Sequence, residues 1–329
     1  MDRDTFLSQE LEMLTSKKDS DLQWIDINNF RKENLGIEET VDTTRKGYKL
    51  LAEFLESGWE LRPTRDPIVK KCILSVSDLH YPFQLPISTY SAYKGKVDVL
   101  VLGGDLLDCS SISKFPKIGR SNQIDEMIGL RSYLLELVDM LKPKKVLAIM
   151  GNHEARLTAY VTKAFNGGEL QELIPESLLS YIFTDGFHHY DKNYGTKIWY
   201  CPLKEVWEEQ GIELVFDDSW WIMEGDIMFC HPKAYSSAPM KTAIKAVEFF
   251  HCLGTPNPMK VMCMAHTHRA GFYRIGSVDV YEQGACCDIT RLHYNDGMLI
   301  NPQKEGFMLF YQDKDGNTLM NRTEQITLN

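Results

Sequence analysis

From residue 71 onward, short runs that are apolar at nearly every position alternate with longer amphipathic stretches. KCILSVS (71–77), VDVLVLG (97–103) and KVLAIMG (145–151) are runs of the first kind. Such unbroken apolarity predicts strands buried on both faces. A helical stretch at about 122–141 separates the second run from the third, and strands alternating with helices predict βαβ units. DIMFCH (226–231), KVMCMAH (260–266) and GFMLFYQ (306–312) predict further strands, and 238–253 a further helix. Residues 156–182 carry a helical pattern, while 183–225 are aromatic-rich and mixed, so about 156–225 reads as an insert.

Residues 1–66 differ from the domain expected over 67–329. They are charged and helical in pattern. In TRKGYKLLAEFLESGW (44–59), Tyr48, Leu51, Leu55 and Trp59 stand near helical spacing and predict an amphipathic helix. DLQWIDINNFRKENLGI (21–37) predicts a second helix ending near Gly36. Two short helices around a glycine suit a DNA-reading pair. They suit better a helical arm that packs on the main domain or joins two copies of the chain.

Composition narrows the class. With 329 residues, 43% of them hydrophobic and 25% charged, the chain is of ordinary globular make-up. The net charge of -10 disfavours a protein that coats nucleic acid, which relies on Lys and Arg to neutralise phosphate. It leaves room for a local basic groove. No apolar run approaches the roughly 18 residues of a membrane span, and the first residues, MDRDTFLSQELEML, contain no apolar signal core. The eight cysteines form no paired CxxC pattern. A reducing cytoplasm is the expected location, that of a host cell if the chain is phage-encoded.

The chemistry is concentrated where the strands end. The first ends in Ser77-Asp78-Leu79-His80, the second in Gly103-Gly104-Asp105-Leu106-Leu107-Asp108, and the third in Gly151-Asn152-His153-Glu154. DIMFC runs into His231, and KVMCM into Ala265-His266-Thr267-His268. Open α/β sheets bind ligands beyond the carboxyl ends of their strands. Carboxylate with imidazole suits transition metals better than Mg or Ca. A pair of such ions about 3.5–4 Å apart can clamp the attacking and leaving oxygens of an in-line displacement. Each motif alone is common; their ordered succession after apolar strands is not.

That succession resembles the calcineurin-like metallophosphoesterase superfamily over roughly residues 70–312, and within it the phage and bacterial phosphoesterases, with SSISKF following the Asp105 motif. The resemblance implies an α/β fold: a two-sheet β-sandwich flanked by helices. It implies two divalent metal ions, manganese first and Fe, Zn or Ni as alternatives. Asp78, His80 and His268 would hold one ion, Asn152, His231 and His266 the other, and Asp105 both. A metal-bound hydroxide would attack phosphorus, His153 would act as general acid, and Asp108 would orient His153. Two departures stand out. Ala265 occupies a position that is often Gly. Cys109-Ser110 replaces the Arg-Gly of the protein-phosphatase branch and argues against that specialisation.

The expected function is hydrolysis of phosphoesters, with a phosphodiesterase or nuclease as first reading. Alternatives are a phosphomonoesterase acting on small molecules or proteins, and a non-catalytic scaffold of the kind the retromer subunit of this superfamily provides. Nucleic acid or a nucleotide is the expected partner. Arg156 is a candidate for binding a phosphate oxygen. Trp199, Tyr200, Trp207, Trp220 and Trp221 read as the core of the insert, with base stacking as the alternative. His188 and His189 read as a solvated loop, and His251 and His293 as structural. Asp288 and Arg291 follow Cys286-Cys287 in an expected loop near the sheet edge and carry no assigned role. Lys114, Lys117 and Arg120 form a modest basic patch.

Overall fold

The computed structural model describes residues 24–35, 38, 40–46, 68–113, 122–165, 175, 177–191, 194–255, 258–292 and 303–328. The chain divides into two compact units, Met1–Pro67 and Ile68–Asn329. In the first, Trp24–Leu35 is a helix, as the pattern at 21–37 predicts, and residues 41–46 are helical. Thr44 Oγ1 donates to Asn28 Oδ1 at 2.9 Å. The remainder of the amphipathic helix expected over 44–59 lies outside the described residues, as do Lys114, Lys117, Arg120 and His293.

The second unit is built on two sheets. In the first, β1 (Lys71–Val76), β2 (Val99–Leu102), β3 (Lys145–Ala148) and β6 (Glu213–Val215) run parallel, and β12 (Glu305–Gln312) and β13 (Glu324–Leu328) extend the other edge antiparallel, in the order β13-β12-β1-β2-β3-β6. The second sheet has the order β10-β11-β9-β8-β7, with β8 (Ile227–Cys230), β9 (Val261–Met264) and β11 (Val278–Gln283) parallel. β7 (Trp221–Glu224) and β10 (Ala270–Ile275) pair antiparallel at its edges. A separate hairpin joins β4 (Phe187–Asp191) to β5 (Thr196–Tyr200).

Why the central strands are apolar throughout is visible in their packing. Ile73, Val99, Val101, Leu147, Met308 and Phe310 face Ile227, Phe229, Val261, Cys263 and Tyr281 across the space between the sheets. The alternate residues point outward, and they too are covered. Leu74, Leu100 and Val146 meet α1 (Gln123–Leu141) and Trp207 of α3 (Leu203–Glu209), whereas Met228, Met262 and Val280 meet α4 (Lys241–Leu253). The unit is therefore a helix–sheet–sheet–helix sandwich. Capping sets the bounds of α1: Asn122 Oδ1 accepts the N–H of Ile124 at 2.9 Å, and Lys142 closes the helix in the left-handed region.

Three expectations need correction. The stretch 156–225 is not one insert. α2 (Arg156–Phe165), the hairpin and α3 fall between β3 and β6, but Glu213–Val215 and Trp221–Glu224 are edge strands of the two sheets. Edge strands are short and partly exposed, so they lack the apolar run that marks a central strand. The aromatic cluster is dispersed for the same reason: Trp207 is fully buried and Trp199 is 50% exposed on β5, while Trp220 and Trp221 pack on Phe250 of α4. His188 and His189 lie on strand β4 rather than in a loop. His251 is exposed in the last turn of α4.

Phe310 sits at the centre of the inter-sheet core, 5.7 Å from the ring of Phe229 and 5.8 Å from that of Tyr281. Phe310→Ala is expected to lower stability by about 3–5 kcal/mol in urea unfolding. Tyr194→Ser, at an 80% exposed position, is expected to change it by less than about 0.5 kcal/mol.

Candidate metal centre

The parallel strands set every predicted ligand at one end of the sandwich. Past the end of β1 the chain stays paired with the chain leaving β2: Asp78 N–H donates to the Gly104 carbonyl at 2.9 Å and His80 N–H to that of Asp105 at 3.0 Å. To aim side chains inward from such close loops the backbone turns left-handed. Asp78, His80, Asp105, His266 and His268 all have φ between 44° and 80°. For residues with a Cβ this region costs on the order of 1–3 kcal/mol each and persists only where the surroundings enforce it. The glycines make the approach feasible. A Cβ on Gly151 would lie 2.1 Å from Asp105 Oδ1. Ala265 is not among the left-handed residues, so the side chain there is tolerated.

Among the described residues, three groups of potential ligand atoms result. Asp78, His80 and His268 form one, and Asp105, His231 and His266 another; these two hold the predicted Asp and His ligands. The third, His80 with Asp108 and His153, shares His80 with the first; within each, one potential ligand atom per residue lies within 4.8 Å of the rest. His80 Nε2 is 3.1 Å from His268 Nε2, and His268 Nε2 is 3.2 Å from Asp78 Oδ1. His231 Nε2 is 3.3 Å from Asp105 Oδ2. His231 Nδ1 is 2.8 Å from the Gly103 carbonyl, which holds the ring with Nε2 facing Asp105. Asn152 Oδ1 and His266 Nε2 are buried without a hydrogen-bond partner. Buried polar atoms left this way are costly. Imidazole nitrogens and carboxylates converging this way are a donor set for divalent transition-metal ions, and the unpartnered amide oxygen of Asn152 is a further donor of the right type. The residues present fit such ions.

Electrostatics point the same way. Burial raises the carboxyl of Asp78, but His268 and then His231 outweigh it and bring it down to about 2. Burial likewise opposes charge on Asp105, yet His153 and His231 hold it well below the usual range. His231 is pushed up to about 10, because Asp105 and Asp78 overcome the effect of burial. His266 falls to about 4 through burial and the neighbouring His231. The carboxylates therefore attract whatever positive charge is at hand, which a divalent ion supplies more fully than a proton.

Around these groups stands a supporting set. His153 Nδ1 is 2.9 Å from the main-chain carbonyl of Asp108, and the Asp108 carboxylate lies farther off, 3.7 Å from His153 Nδ1 and 3.7 Å from His80 Nδ1. Asp108 thus holds His153 through its carbonyl. Arg156 donates to the same oxygen from Nη1 at 2.8 Å. Burial, ahead of the opposing pull of Asp105, keeps His153 well below the ordinary imidazole range.

Several further residues position this site in roles that residue type does not reveal. Glu154 is fully buried, and its carboxylate accepts the N–H groups of Asp105 (3.1 Å), Leu107 (2.9 Å) and Gly151 (2.8 Å). It locks two ligand loops together, and burial and Asp105 push its carboxyl up to about 7. Glu126 of α1 does the same for the next turn, accepting from Cys109 N–H and Ser110 Oγ. Gln283 of β11 donates to Ser77 Oγ at 2.7 Å, which donates to Asp78 Oδ2 at 2.7 Å. Buried Arg269, next to His268, donates from Nη2 to the carbonyls of Ser236 and Ser237 and so ties down the loop after His231. Asp288 caps the turn Ile289–Arg291, and the Arg291 guanidinium covers the Phe83 ring. All eight cysteines are free thiols, and among the described residues no helix is long and apolar enough to cross a membrane.

Comparison with known proteins gives this arrangement a family. Solved structures similar to the chain include vacuolar protein sorting 29 of Cryptosporidium parvum, at 13% identity over 79% of this chain and 99% of that one, with a TM-score of 0.38. The Entamoeba histolytica Vps29 complexed with zinc shows 12% identity over 78% and 99%, with a TM-score of 0.37. An archaeal phosphodiesterase shows 14% identity over 78% and 99%, with a TM-score of 0.30. No curated protein matches. The family model described as calcineurin-like phosphoesterase matches residues 73–270, from the strand that ends at Asp78 to just beyond His268, and the chain belongs to that family.

Proposed function

We propose that the chain hydrolyses phosphoesters at a dinuclear metal centre, with phosphodiesters as the preferred class. The observation that carries this reading is the pair of converging ligand groups with buried Asn152 Oδ1 and His266 Nε2 left unpartnered. In it, Asp78, His80 and His268 would hold one ion and Asn152, His231 and His266 the second, with Asp105 the carboxylate available to both. Bound there, a pair of divalent ions, manganese first, supplies Lewis acidity and a nucleophile at neutral pH.

The remaining steps belong to the chain. Arg156, whose Nη1 donates to the Asp108 carbonyl that also meets His153 Nδ1, has further N–H groups to bind a non-bridging phosphate oxygen. His153 keeps Nε2 facing the Asp105 side of the site while the Asp108 carbonyl fixes its Nδ1. A substrate's negative charge favours the imidazolium, which then protonates the leaving oxygen from Nε2. The scaffold alternative requires no such set; a position for His153 and every ligand is kept here.

The direct test is hydrolysis of bis-p-nitrophenyl phosphate and p-nitrophenyl phosphate, side by side, with added Mn²⁺. Diester turnover that exceeds monoester turnover and disappears in Asp105→Asn is the expected result. Monoester turnover alone would replace the diester reading with that of a phosphomonoesterase, and no turnover of either would favour a scaffold. A second measurement isolates His153. His153→Ala is expected to slow release of an alkoxide leaving group by about 10²–10⁴-fold and release of nitrophenolate, which leaves without a proton, far less. Equal loss for both would contradict the general-acid role.

A further inference from the structure

The rings of His231, His266 and Tyr235 form a row. The first two centres are 5.2 Å apart and the second two 6.1 Å, each pair edge to face. Exposure rises along the row. His231, whose Nε2 is 3.3 Å from Asp105 Oδ2, is fully buried; His266 is partly buried; Tyr235 is 49% exposed. The row therefore leads from the buried carboxylate out to solvent, and Tyr235 stands where the site opens.

The Tyr235 ring is held there. The residue lies on the loop leaving β8, four positions beyond His231. Its Oη accepts from Arg269 Nη2 at 3.1 Å, and the guanidinium carbon is 5.4 Å from the ring centre. That guanidinium is buried, belongs to the residue after His268, and also holds the carbonyls of Ser236 and Ser237. A ring fixed at its backbone and at its tip is ordered before any ligand arrives, so a contact with it costs little further entropy.

We propose that Tyr235 is a specificity-determining residue of the metal centre, packing against a flat, unsaturated group carried by the ester bound there, with Arg269 positioning it. This rests on the phosphoesterase reading above and names the class of ester that the site prefers. An ester that reaches Asp105 and His231 enters from the open side, where Tyr235 stands. Aromatic rings meet edge to face or offset, and such a pair adds about three- to tenfold in affinity beyond what the buried area gives. An aryl ester and a nucleobase both present that chemistry; an aliphatic group of the same size does not.

The test is equilibrium binding of non-hydrolysable phosphonates to the full-length protein with Mn²⁺. It is read from the broadening of each probe's phosphorus resonance by the bound ion, which reports only a phosphonate held beside the metal. Two pairs of probes are compared: phenylphosphonate with cyclohexylphosphonate, and the methylene phosphonate analogue of AMP with ribose carrying the same phosphonate. In at least one pair the flat member is expected to bind more tightly by at least about threefold. An advantage in the first pair assigns the group to an aryl ester, and one in the second to a nucleobase. The advantage is expected to vanish in Tyr235→Ala, where Arg269 keeps its bonds to the Ser236 and Ser237 carbonyls, and to persist in Tyr235→Phe, which retains the ring. Equal affinities within both pairs, an advantage that survives Tyr235→Ala, or one lost in Tyr235→Phe would overturn the assignment. Loss of cyclohexylphosphonate binding in Tyr235→Ala would also overturn it, by making Tyr235 a structural part of the centre. Because no turnover is read, a flat-group preference without hydrolysis would contradict only the proposed function, and a hydrolase without that preference only the role of Tyr235.

Discussion

Carboxylates and imidazoles belong in water, and here they converge in a space a few ångströms across with almost no access to it. Asp78, His80 and His231 are fully buried and Asp105 nearly so. Such groups are stable inside a protein only when paired, hydrogen-bonded or bound to metal. The rest of the architecture follows from meeting that condition. Each carboxylate of the centre has one oxygen anchored: Asp78 Oδ2 by Ser77, and Asp105 Oδ1 by the N–H of His153 at 2.8 Å. The other oxygen is left facing imidazole nitrogen. The left-handed turns at Asp78, His80, Asp105, His266 and His268 are the cost of aiming side chains inward from loops packed this closely. A rigid sandwich with two apolar-faced sheets is what can sustain it.

The strands and ligands of this centre were legible in the sequence for one shared reason. A strand buried on both faces is apolar at every position, so its polar terminus is conspicuous, and the ligands lie at those termini. The same logic explains what escaped notice. β10, β11 and β13 mix polar with apolar residues; in β10 the burial alternates only weakly, and in β11 even Asp279, Glu282 and Gln283 are buried. Burying polar side chains by pairing them with partners from another sheet leaves no pattern in the local sequence. Gln283 reaches Ser77 across 206 positions, and Ser75 reaches Gln283 across 208.

Glu154 shows a subtler limit. It stands in a motif that the sequence displays plainly, yet as an acid beside ligands it looks like one more ligand. Its three accepted N–H groups make it instead the clasp between the loops that carry Asp105 and Asn152. The role expected of Asp108 shifts similarly: the residue that steadies His153 does so with a carbonyl oxygen, a group every residue possesses. Residue type alone cannot reveal such a contact, because it depends on the left-handed turn at Cys109 and on the loop that Glu126 holds.

The account stands on the claim that the convergent groups hold two ions. Elemental mass spectrometry of the full-length protein, loaded with Mn²⁺ and freed of excess, measures this directly, with Asp105→Asn alongside. The account predicts two ions per chain in the wild-type protein and a clear loss in the variant, whose amide cannot offer the shared negative charge. A wild-type protein that retains no ion, or a variant that retains both, would contradict it.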